Sequence, residues 1–160
     1  MSGKLSSVAR LEKTVRRLQA GGKKVVFTNG CFDLLHYGHV AYLEKARAKG
    51  DVLVVGLNSD ASVRRLKGPK RPLVSQRYRA LVMAGLACVD HLVVFGQDTP
   101  YALISRLKPD VLVKGGDWKP KDIVGSDVVR RSGGKVFSIR FEKGFSTTAL
   151  IEKIVKSYSR

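Results

Sequence analysis

Short apolar runs alternate along this chain with longer segments in which apolar residues recur every three or four positions. The runs are continuous and rich in β-branched residues, a pattern typical of strands that are buried on both faces of a parallel sheet. The longer segments have the spacing of helices that pack one face against such a sheet. The pattern predicts strands at 23–27, 52–57, 91–95, 111–113 and 135–139, and helices at 6–20 and 75–88, with others beginning near residues 36, 60, 99 and 146.

Alternation of strands and helices at short intervals predicts a Rossmann-like α/β fold, a three-layer sandwich around a mainly parallel five-stranded sheet. Right-handed crossovers bring the carboxyl ends of the strands to one edge, where ligands bind beside a switch in strand order. One amphipathic helix precedes the first strand. We therefore divide the chain into an N-terminal helical extension, residues 1–22, and a single globular domain, residues 23–160, and expect the extension to serve packing or a dimer contact.

Residues 28–39 lie between the first strand and the helix that follows it. A helix start has backbone N–H groups without partners and a partial positive charge, so it favours phosphate groups. His36 and His39 are three residues apart and share one face of a helix that starts near His36. Gly38 between them lets a ligand approach the backbone. Two imidazoles beside a helix start suit a phosphorus centre that gains negative charge during group transfer.

Two other interpretations of the histidine pair stay open at this point. Histidines at positions i and i+3 can ligate a metal ion, although no third Cys, Asp or Glu ligand is obvious nearby. They can also be ordinary capping or core residues. Because the spacing alone is only moderately specific, the rest of the chain has to decide between these interpretations.

The charge balance narrows the classes of function. With 30 Lys and Arg against 13 Asp and Glu, the formal net charge is +17, and such a surface attracts polyanions. Nucleic-acid binding is one interpretation, but the charge is scattered and no DNA- or RNA-binding motif appears. There is no apolar run long enough to cross a bilayer, no signal-peptide core, and no metal-ligand spacing for Cys31 and Cys88. We therefore expect a cytoplasmic protein with reduced thiols.

Three further segments place polar or small residues near strand ends. Lys67 lies in a basic stretch, residues 64–71, that could close over phosphates, with chance clustering in a surface loop as the alternative. Gly115 and Gly116 follow the fourth strand, where the absence of side chains permits close approach of a ligand. The hydroxyls of residues 146–148 open the last helix and are either helix caps or ligand contacts.

His36-x-Gly38-His39, preceded by Gly30-Cys31-Phe32-Asp33, resembles the HxGH signature of the cytidylyltransferase-like nucleotidyltransferases, and the resemblance covers residues 23–155. Those enzymes join a nucleoside triphosphate to a phosphorylated small molecule and release pyrophosphate. Further segments resemble the branch of the family that makes ADP-heptose from ATP and D-glycero-β-D-manno-heptose 1-phosphate, for the lipopolysaccharide core or a related surface glycan. These segments are 28–33, 58–60, 67–68, 71–72, 98–100, 114–117 and 146–148.

The resemblance implies a role for each matching residue. His36, His39 and Lys67 would contact phosphates and carry catalysis. Asp33 would either help to hold Mg²⁺ or fix its loop, and the metal ion would be bound mainly through the phosphates of ATP. The nucleotide would contact Asn29, Gly30, Cys31, Phe32, Asp33, Gly38, Gly115, Gly116, Asp117, Ser146, Thr147 and Thr148, and the acceptor would contact Asn58, Asp60, Arg71 and Arg77.

The resemblance further implies ATP and a sugar 1-phosphate as substrates, a homodimer or higher homo-oligomer, and no nucleic-acid or membrane partner. We expect the stand-alone form of the enzyme, because nothing the size of a sugar kinase precedes the domain. The main alternative is a cytidylyltransferase-type enzyme for glycerol 3-phosphate or ethanolamine phosphate, and the remote one is a basic nucleic-acid-binding protein. Relatives that use CTP carry an Arg-Thr-Glu-Gly run where this chain has Phe141-Glu142-Lys143-Gly144, which weakens the CTP alternative.

Overall fold

The structure is a computed structural model that describes residues 3–159, so residues 1–2 of the predicted extension and residue 160 of the predicted domain lie outside the described residues. The described part contains five strands and seven α-helices, with a 3₁₀ turn at Pro120–Asp122. In chain order these are α1 (Val8–Ala20), β1 (Val25–Gly30), α2 (Tyr37–Arg47), β2 (Val52–Asn58), α3 (Asp60–Lys67), α4 (Gln76–Gly85), β3 (His91–Phe95), α5 (Tyr101–Leu107), β4 (Val111–Gly115), α6 (Ser126–Arg131), β5 (Lys135–Ile139) and α7 (Thr147–Tyr158).

All five strands are parallel and lie in the order β3-β2-β1-β4-β5. The chain runs outward from β1 to β3 and then returns to place β4 on the other side of β1. The strand order therefore switches between β1 and β4, and a crevice for a ligand is expected at their carboxyl ends. The predicted Rossmann-like fold with a five-stranded sheet is confirmed, and within the described residues the sheet is wholly parallel.

Two hydrophobic clusters, one on each face of the sheet, form the core. Along β1 the side chains alternate, so that Phe27 joins one cluster and Val26 joins the other. All seven residues of β2 are buried, as a central strand covered on both faces requires. Helices α1, α5 and α6 cover the first face, and α2 and α4 cover the second.

Helix α1 packs against the same core as the strands. Ser7 caps it, and Leu11 and Val15 are fully buried in the first cluster. Just before the helix, the backbone of Leu5 forms a parallel bridge with Leu92 of β3. The apolar stripe of α1 is thus used within the chain and is not free for a dimer contact. The division of the chain at residues 22 and 23 stays a prediction; it falls in the turn between α1 and β1.

Several helix bounds differ from those predicted. Helix α5 begins at Tyr101 rather than at residue 99 or 100, because its first helical hydrogen bond runs from the Ile104 N–H to the Pro100 carbonyl. Helix α4 ends at Gly85 instead of residue 88, since Leu86 turns to an extended conformation. Helix α6 was not predicted at all. Among the described residues, no helix combines the length and the apolar character that crossing a membrane demands.

Candidate active site

A cavity of about 650 Å³ opens at the carboxyl edge of the sheet, beside the switch in strand order between β1 and β4. It is large enough for a nucleotide. Most of the residues predicted for the site line it, although they come from segments spread over more than 100 positions. They are Asn29, Gly30, Cys31, Phe32, Asp33, His36, Gly38, His39, Asn58, Lys67, Arg71, Gly115, Ser146, Thr147 and Thr148.

The two histidines meet at the start of α2. His36 is the N-cap residue and His39 lies in the first turn, and their rings stack with centroids 3.8 Å apart and planes 21° from parallel. The Nδ1 atom of each ring is buried and has no hydrogen-bond partner among the described residues. The ring of Phe32 contacts that of His39 edge-on, at 5.3 Å between centroids. Because both histidines line the cavity, the Nε2 edges are the polar edges available to a ligand.

Burial keeps both imidazoles neutral at physiological pH. It lowers the pKa of His36, and burial together with the nearby His36 lowers the pKa of His39 to about 4. A second proton on either ring would add an N–H at a buried Nδ1 that has no acceptor, which costs free energy. Each neutral ring therefore carries its single proton on Nε2, so the pair offers two N–H donors without a net charge.

The loop before the histidines has a strained backbone. Phe32 adopts a φ angle of +44°, which is unusual for a residue with a side chain, and the residue is buried in the second core cluster. A Cβ at Gly30 would lie 2.8 Å from the Phe32 ring. The absence of a side chain at Gly30 is therefore what lets the Phe32 ring fold back over the end of β1.

Asp33 holds a second loop, residues 68–75, against the first. Its carboxylate accepts hydrogen bonds from the backbone N–H groups of Leu73 and Val74 and from Nε of Arg71, which lies 2.6 Å away. Burial raises the pKa of Asp33, but these donors outweigh it and hold the pKa below its usual value. Both carboxylate oxygens have protein partners, which corresponds to the loop-fixing role of the two roles considered for this residue.

The side chain of Arg79 is completely buried and forms hydrogen bonds to three segments of the site. Its guanidinium donates to the carbonyl of Cys31 at 2.5 Å, to the carbonyl of Val74 at 2.9 Å and to the carboxylate of Asp60 at 2.7 Å. Asp60 also accepts from the backbone N–H of Gln76. The loop after β1, the start of α3 and the start of α4 are thereby fixed relative to one another.

The cavity lining carries charges of both signs, and its carboxylates other than Asp122 are paired. The carboxylates of Asp33, Asp98 and Glu142 are paired with Arg71, Arg65 and Lys45 respectively. Lys67 and Lys114 also line the cavity and form no ion pair among residues 3–159. Unpaired ammonium groups in a cleft attract phosphates.

Residues 140–146 cross the mouth of the cavity, with an aromatic ring at each end. The Phe141 ring packs so closely on Gly115 that a Cβ there would overlap it, and the Cβ of Phe145 lies 2.9 Å from the position that a Cβ on Gly38 would take. Both rings are largely exposed on their other side. Glycine at 38 and 115 thus lets this segment approach both β4 and the histidine pair. Ser146 caps α7, accepting from the N–H of Ala149, while still lining the cavity.

A family model described as "Cytidylyltransferase-like" matches residues 27–153, a span that contains every part of the cavity described above. The chain belongs to the cytidylyltransferase-like family. It is accordingly a nucleotidyltransferase.

Relatives of this family member include "Bifunctional protein HldE" of Geobacter metallireducens, 56% identical over 155 residues, and the protein of the same name in Helicobacter pylori strain J99, 54% identical over 149 residues. The alignments cover 97% and 93% of this chain but only 32% and 31% of those proteins. The chain thus spans about a third of the length of these relatives.

Solved structures share the fold. The "lipopolysaccharide core biosynthesis protein" from Thermoplasma volcanium superposes with a TM-score of 0.61 at 26% identity, covering 78% of this chain and 100% of that one. A pantothenate synthetase from Thermus thermophilus superposes with a TM-score of 0.55 at 20% identity, covering 86% of this chain and 61% of that one. The second likeness concerns the fold alone.

Four of the predicted site residues lie outside the cavity lining of this family member. Gly116 has a φ angle of +117° and turns the chain behind Trp118, and Asp117 pairs at the surface with Arg140. Asp60 faces Arg79 instead of the cavity. Arg77 is exposed on α4 and lies over its own neighbour Tyr78. The ligand contacts predicted for these four residues stay predictions. Asp60 and Arg77 would have to contact a ligand that extends beyond the cavity lining.

Several residues that sequence analysis missed do line the cavity: Tyr42, Leu66, Lys114, Trp118, Phe141, Glu142 and Phe145. The buried hydroxyl of Tyr42 lies 2.5 Å from that of Thr28 and donates to the Val113 carbonyl, which links α2 to both β1 and β4. Lys114 and Trp118 flank the Gly115-Gly116 pair in sequence, a signal that could have drawn attention to them. The position of Phe141 depends on tertiary contacts that sequence patterns do not reveal.

Proposed function

We propose that this protein transfers AMP from ATP to D-glycero-β-D-manno-heptose 1-phosphate, giving ADP-heptose and pyrophosphate. The observation that carries the transfer chemistry is the stacked, neutral pair of His36 and His39 at the start of α2, in a cavity that is also lined by the unpaired Lys67 and Lys114. The choice of acceptor is supported by the resemblance of segments 58–60, 114–117 and 146–148 to enzymes that make ADP-heptose. It is supported further by the likeness to a lipopolysaccharide core biosynthesis protein.

The proposed reaction is a direct in-line displacement. A phosphate oxygen of the sugar 1-phosphate forms a bond to the α-phosphorus of ATP while the bond from that phosphorus to the bridging oxygen breaks, and pyrophosphate leaves with the electron pair. The attacking phosphate is already ionised, so no general base and no covalent enzyme intermediate are required. Catalysis then consists of positioning and of stabilising the charge that develops on the transferred phosphoryl group.

The histidine pair would supply that stabilisation. The Nε2–H groups of His36 and His39 would donate to oxygens of the α- and β-phosphates, and the partial positive charge at the start of α2 would add to their effect. Because neither ring has another protein partner, no competing hydrogen bond has to break when the nucleotide binds. Lys67 would bind the outer phosphates from the end of α3.

Magnesium would enter the site with ATP. Within residues 3–159 no group of three His, Cys, Asp or Glu side chains is placed to hold a metal ion, and the carboxylate of Asp33 is engaged by Arg71, Leu73 and Val74. These residues fit an ion whose ligands are phosphate oxygens and waters, as Mg²⁺ prefers. The bound ion would neutralise charge on the triphosphate.

The remaining contacts of the proposal follow the cavity lining. Backbone groups of residues 29–33 would meet the triphosphate, and Gly115 with residues 146–148 would enclose the nucleoside. Asn58 and Arg71, which also line the cavity, are the acceptor contacts best placed to reach a ligand. We further propose that the enzyme acts in the cytoplasm and self-associates through a surface other than the apolar stripe of α1.

The test is pyrophosphate release by the purified protein, with ATP or CTP and a panel of phosphorylated acceptors. We expect turnover with ATP and heptose 1-phosphate, and at least about tenfold lower kcat/KM with CTP or with glycerol 3-phosphate, ethanolamine phosphate or flavin mononucleotide. Preference for CTP with another acceptor would replace the proposed reaction by the cytidylyltransferase alternative. Tight, steeply salt-dependent nucleic-acid binding without pyrophosphate release would instead favour the nucleic-acid-binding alternative.

A further inference from the structure

Lys114 lies at the switch in strand order, on the β4 side of the crevice. It is the fourth residue of β4, the strand beside β1 on the other side from β2. Its side chain is half-buried, lines the cavity, and brings Nζ to 3.5 Å from Oδ1 of Asn29 on β1. Helix α2 packs on the face of the sheet that carries Val113, and because side chains alternate along a strand, Lys114 points to the other face.

No carboxylate of residues 3–159 lies within ion-pair distance of the Lys114 ammonium. The 3.5 Å contact with Asn29 is at the limit of a hydrogen bond. The Lys114 ammonium group is therefore partly desolvated and has no strong hydrogen-bond or ion-pair partner, which destabilises its charged form.

The electrostatic surroundings of Lys114 add to this cost. Burial lowers its pKa, the facing Cys31 thiol acts in the opposite direction, and the charge of Lys67 lowers the pKa again. A phosphate dianion bound beside Lys114 would supply its missing partner and favour the charged form of the ammonium group. An unpaired, partly desolvated cation of this kind is characteristic of a binding site rather than of a structural contact.

In-line displacement requires the attacking and leaving oxygens to lie on opposite sides of the α-phosphorus. Under the proposed function, the start of α2 with His36 and His39 holds the triphosphate, and hence the leaving pyrophosphate. The attacking phosphate must then approach from the other side of the crevice. We propose that Lys114 binds the phosphate group of the acceptor sugar 1-phosphate and positions it for attack, an inference that rests on the proposed function.

This role makes the stability and the activity of a variant change in opposite directions. Replacing Lys114 by Met keeps most of the side-chain volume and removes an unpaired charge, so the free protein should melt at the same temperature as wild type or higher. A lysine that served packing or folding would give the opposite result. In the same variant, the KM for the sugar phosphate should rise by at least about tenfold, while the Kd for ATP should change by less than about threefold.

The experiment compares wild type, Lys114→Met and the control Lys135→Met. Lys135 begins β5 in the same sheet, at the opposite end of the strand register, and its side chain is exposed. Initial rates of pyrophosphate release are measured against the concentrations of ATP and of heptose 1-phosphate, ATP affinity by calorimetry, and melting by circular dichroism. The control should match wild type in all of these.

The outcomes test the role of Lys114 separately from the proposed function. No wild-type turnover with any phosphorylated acceptor would overturn the proposed function. Wild-type turnover together with an unchanged acceptor KM in Lys114→Met would overturn the role of Lys114 alone. A rise in the ATP Kd with an unchanged acceptor KM, or a marked fall in melting temperature, would overturn that role as well.

Discussion

The imidazole ring of His36 stacks on that of His39 at 3.8 Å, and neither Nδ1 atom finds a hydrogen-bond partner among the described residues. Two rings this close would repel each other if both were protonated, and burial disfavours even one charge. The arrangement therefore sets two neutral donors side by side at a helix start before any ligand arrives. Such preorganised donors stabilise developing charge without further rearrangement.

The first prediction concerns His39→Ala. Removing one preorganised donor from a water-poor site costs about 2.7–4 kcal/mol of transition-state stabilisation, so kcat should fall by a factor of about 10²–10³. Pyrophosphate release under saturating substrates measures this effect. His39→Gln, whose side-chain amide N–H reaches about as far as the Nε2–H of histidine, should recover part of the loss. A wild-type kcat in His39→Ala would exclude the assigned role.

The remaining histidine provides the control for that experiment. His91 begins β3 at the amino edge of the sheet and does not line the cavity. His91→Gln should therefore keep the kcat and KM of wild type. A loss of activity in this variant comparable to that of His39→Ala would show that replacing histidine disturbs the fold rather than the chemistry.

The second prediction concerns the acid limb of the pH profile. Because the pKa of His39 is lowered to about 4, the ring should stay neutral, with its buried Nδ1 unprotonated, between pH 8 and about pH 5. An inflection of kcat/KM between about pH 6 and 6.5 should accordingly come from the substrate phosphates, whose second pKa is about 6, and should persist in His39→Asn. An inflection in this range that disappears in His39→Asn would contradict the neutral state of the ring.

The same lowered pKa has a consequence for stability. The folded chain binds fewer protons at His39 than the unfolded chain does, so stability is retained above pH 6.5 and is lost as the pH falls from 6.5 toward 4. Because solvent screens this partly exposed ring, the free energy of unfolding should fall by about 1–2 kcal/mol over this pH range. Urea unfolding at pH 7 and pH 4.5 should show a smaller loss for His39→Asn than for wild type.

The elements that a local pattern determines could be predicted from the sequence. Strands β3 and β5 have the predicted bounds because a short run rich in β-branched and aromatic residues, bounded by polar residues, favours a strand. The parallel orientation of the strands was predicted from their alternation with helices. The histidine pair could be found because His36 and His39 are neighbours in the chain, so their proximity needs no knowledge of the rest of the fold.

What depends on distant contacts could not be predicted. Arg77 and Arg79 are two positions apart on α4 and look alike in the sequence, yet Arg77 is exposed while Arg79 is buried against the loop after β1. Which of them turns inward depends on how α4 docks on the sheet. Asp33 likewise has its partners about 40 residues away, at Arg71 and Val74, so its hydrogen bonds to that loop could not be found from the sequence.

The third prediction tests the difference between the buried Arg79 and the exposed Arg77 on α4. Arg79→Met leaves the carbonyls of Cys31 and Val74 and the carboxylate of Asp60 without their donor in a buried setting, which should cost about 2–4 kcal/mol. Arg77→Met on the exposed side of the same helix should stay within about 0.5 kcal/mol of wild type. Urea unfolding of the two variants measures both values, and equal stabilities would refute the assignment of Arg79 as the anchor.

The last prediction addresses the close approach at Gly38. A Cβ at this position would lie 2.9 Å from the Cβ of Phe145 and 3.2 Å from ring atoms of His36, so either the segment across the cavity or the imidazole must shift. Displacement of a catalytic group by a fraction of an ångström to about 1 Å lowers rates by roughly tenfold to a hundredfold, and we expect such a fall in kcat for Gly38→Ala. Gly85→Ala is the matched control because no heavy atom lies within 4 Å of its Cβ position. Alanine stabilises a helix relative to glycine by about 1 kcal/mol, so neither variant should unfold. A full wild-type kcat in Gly38→Ala would mean that the position of the His36 ring does not depend on this contact.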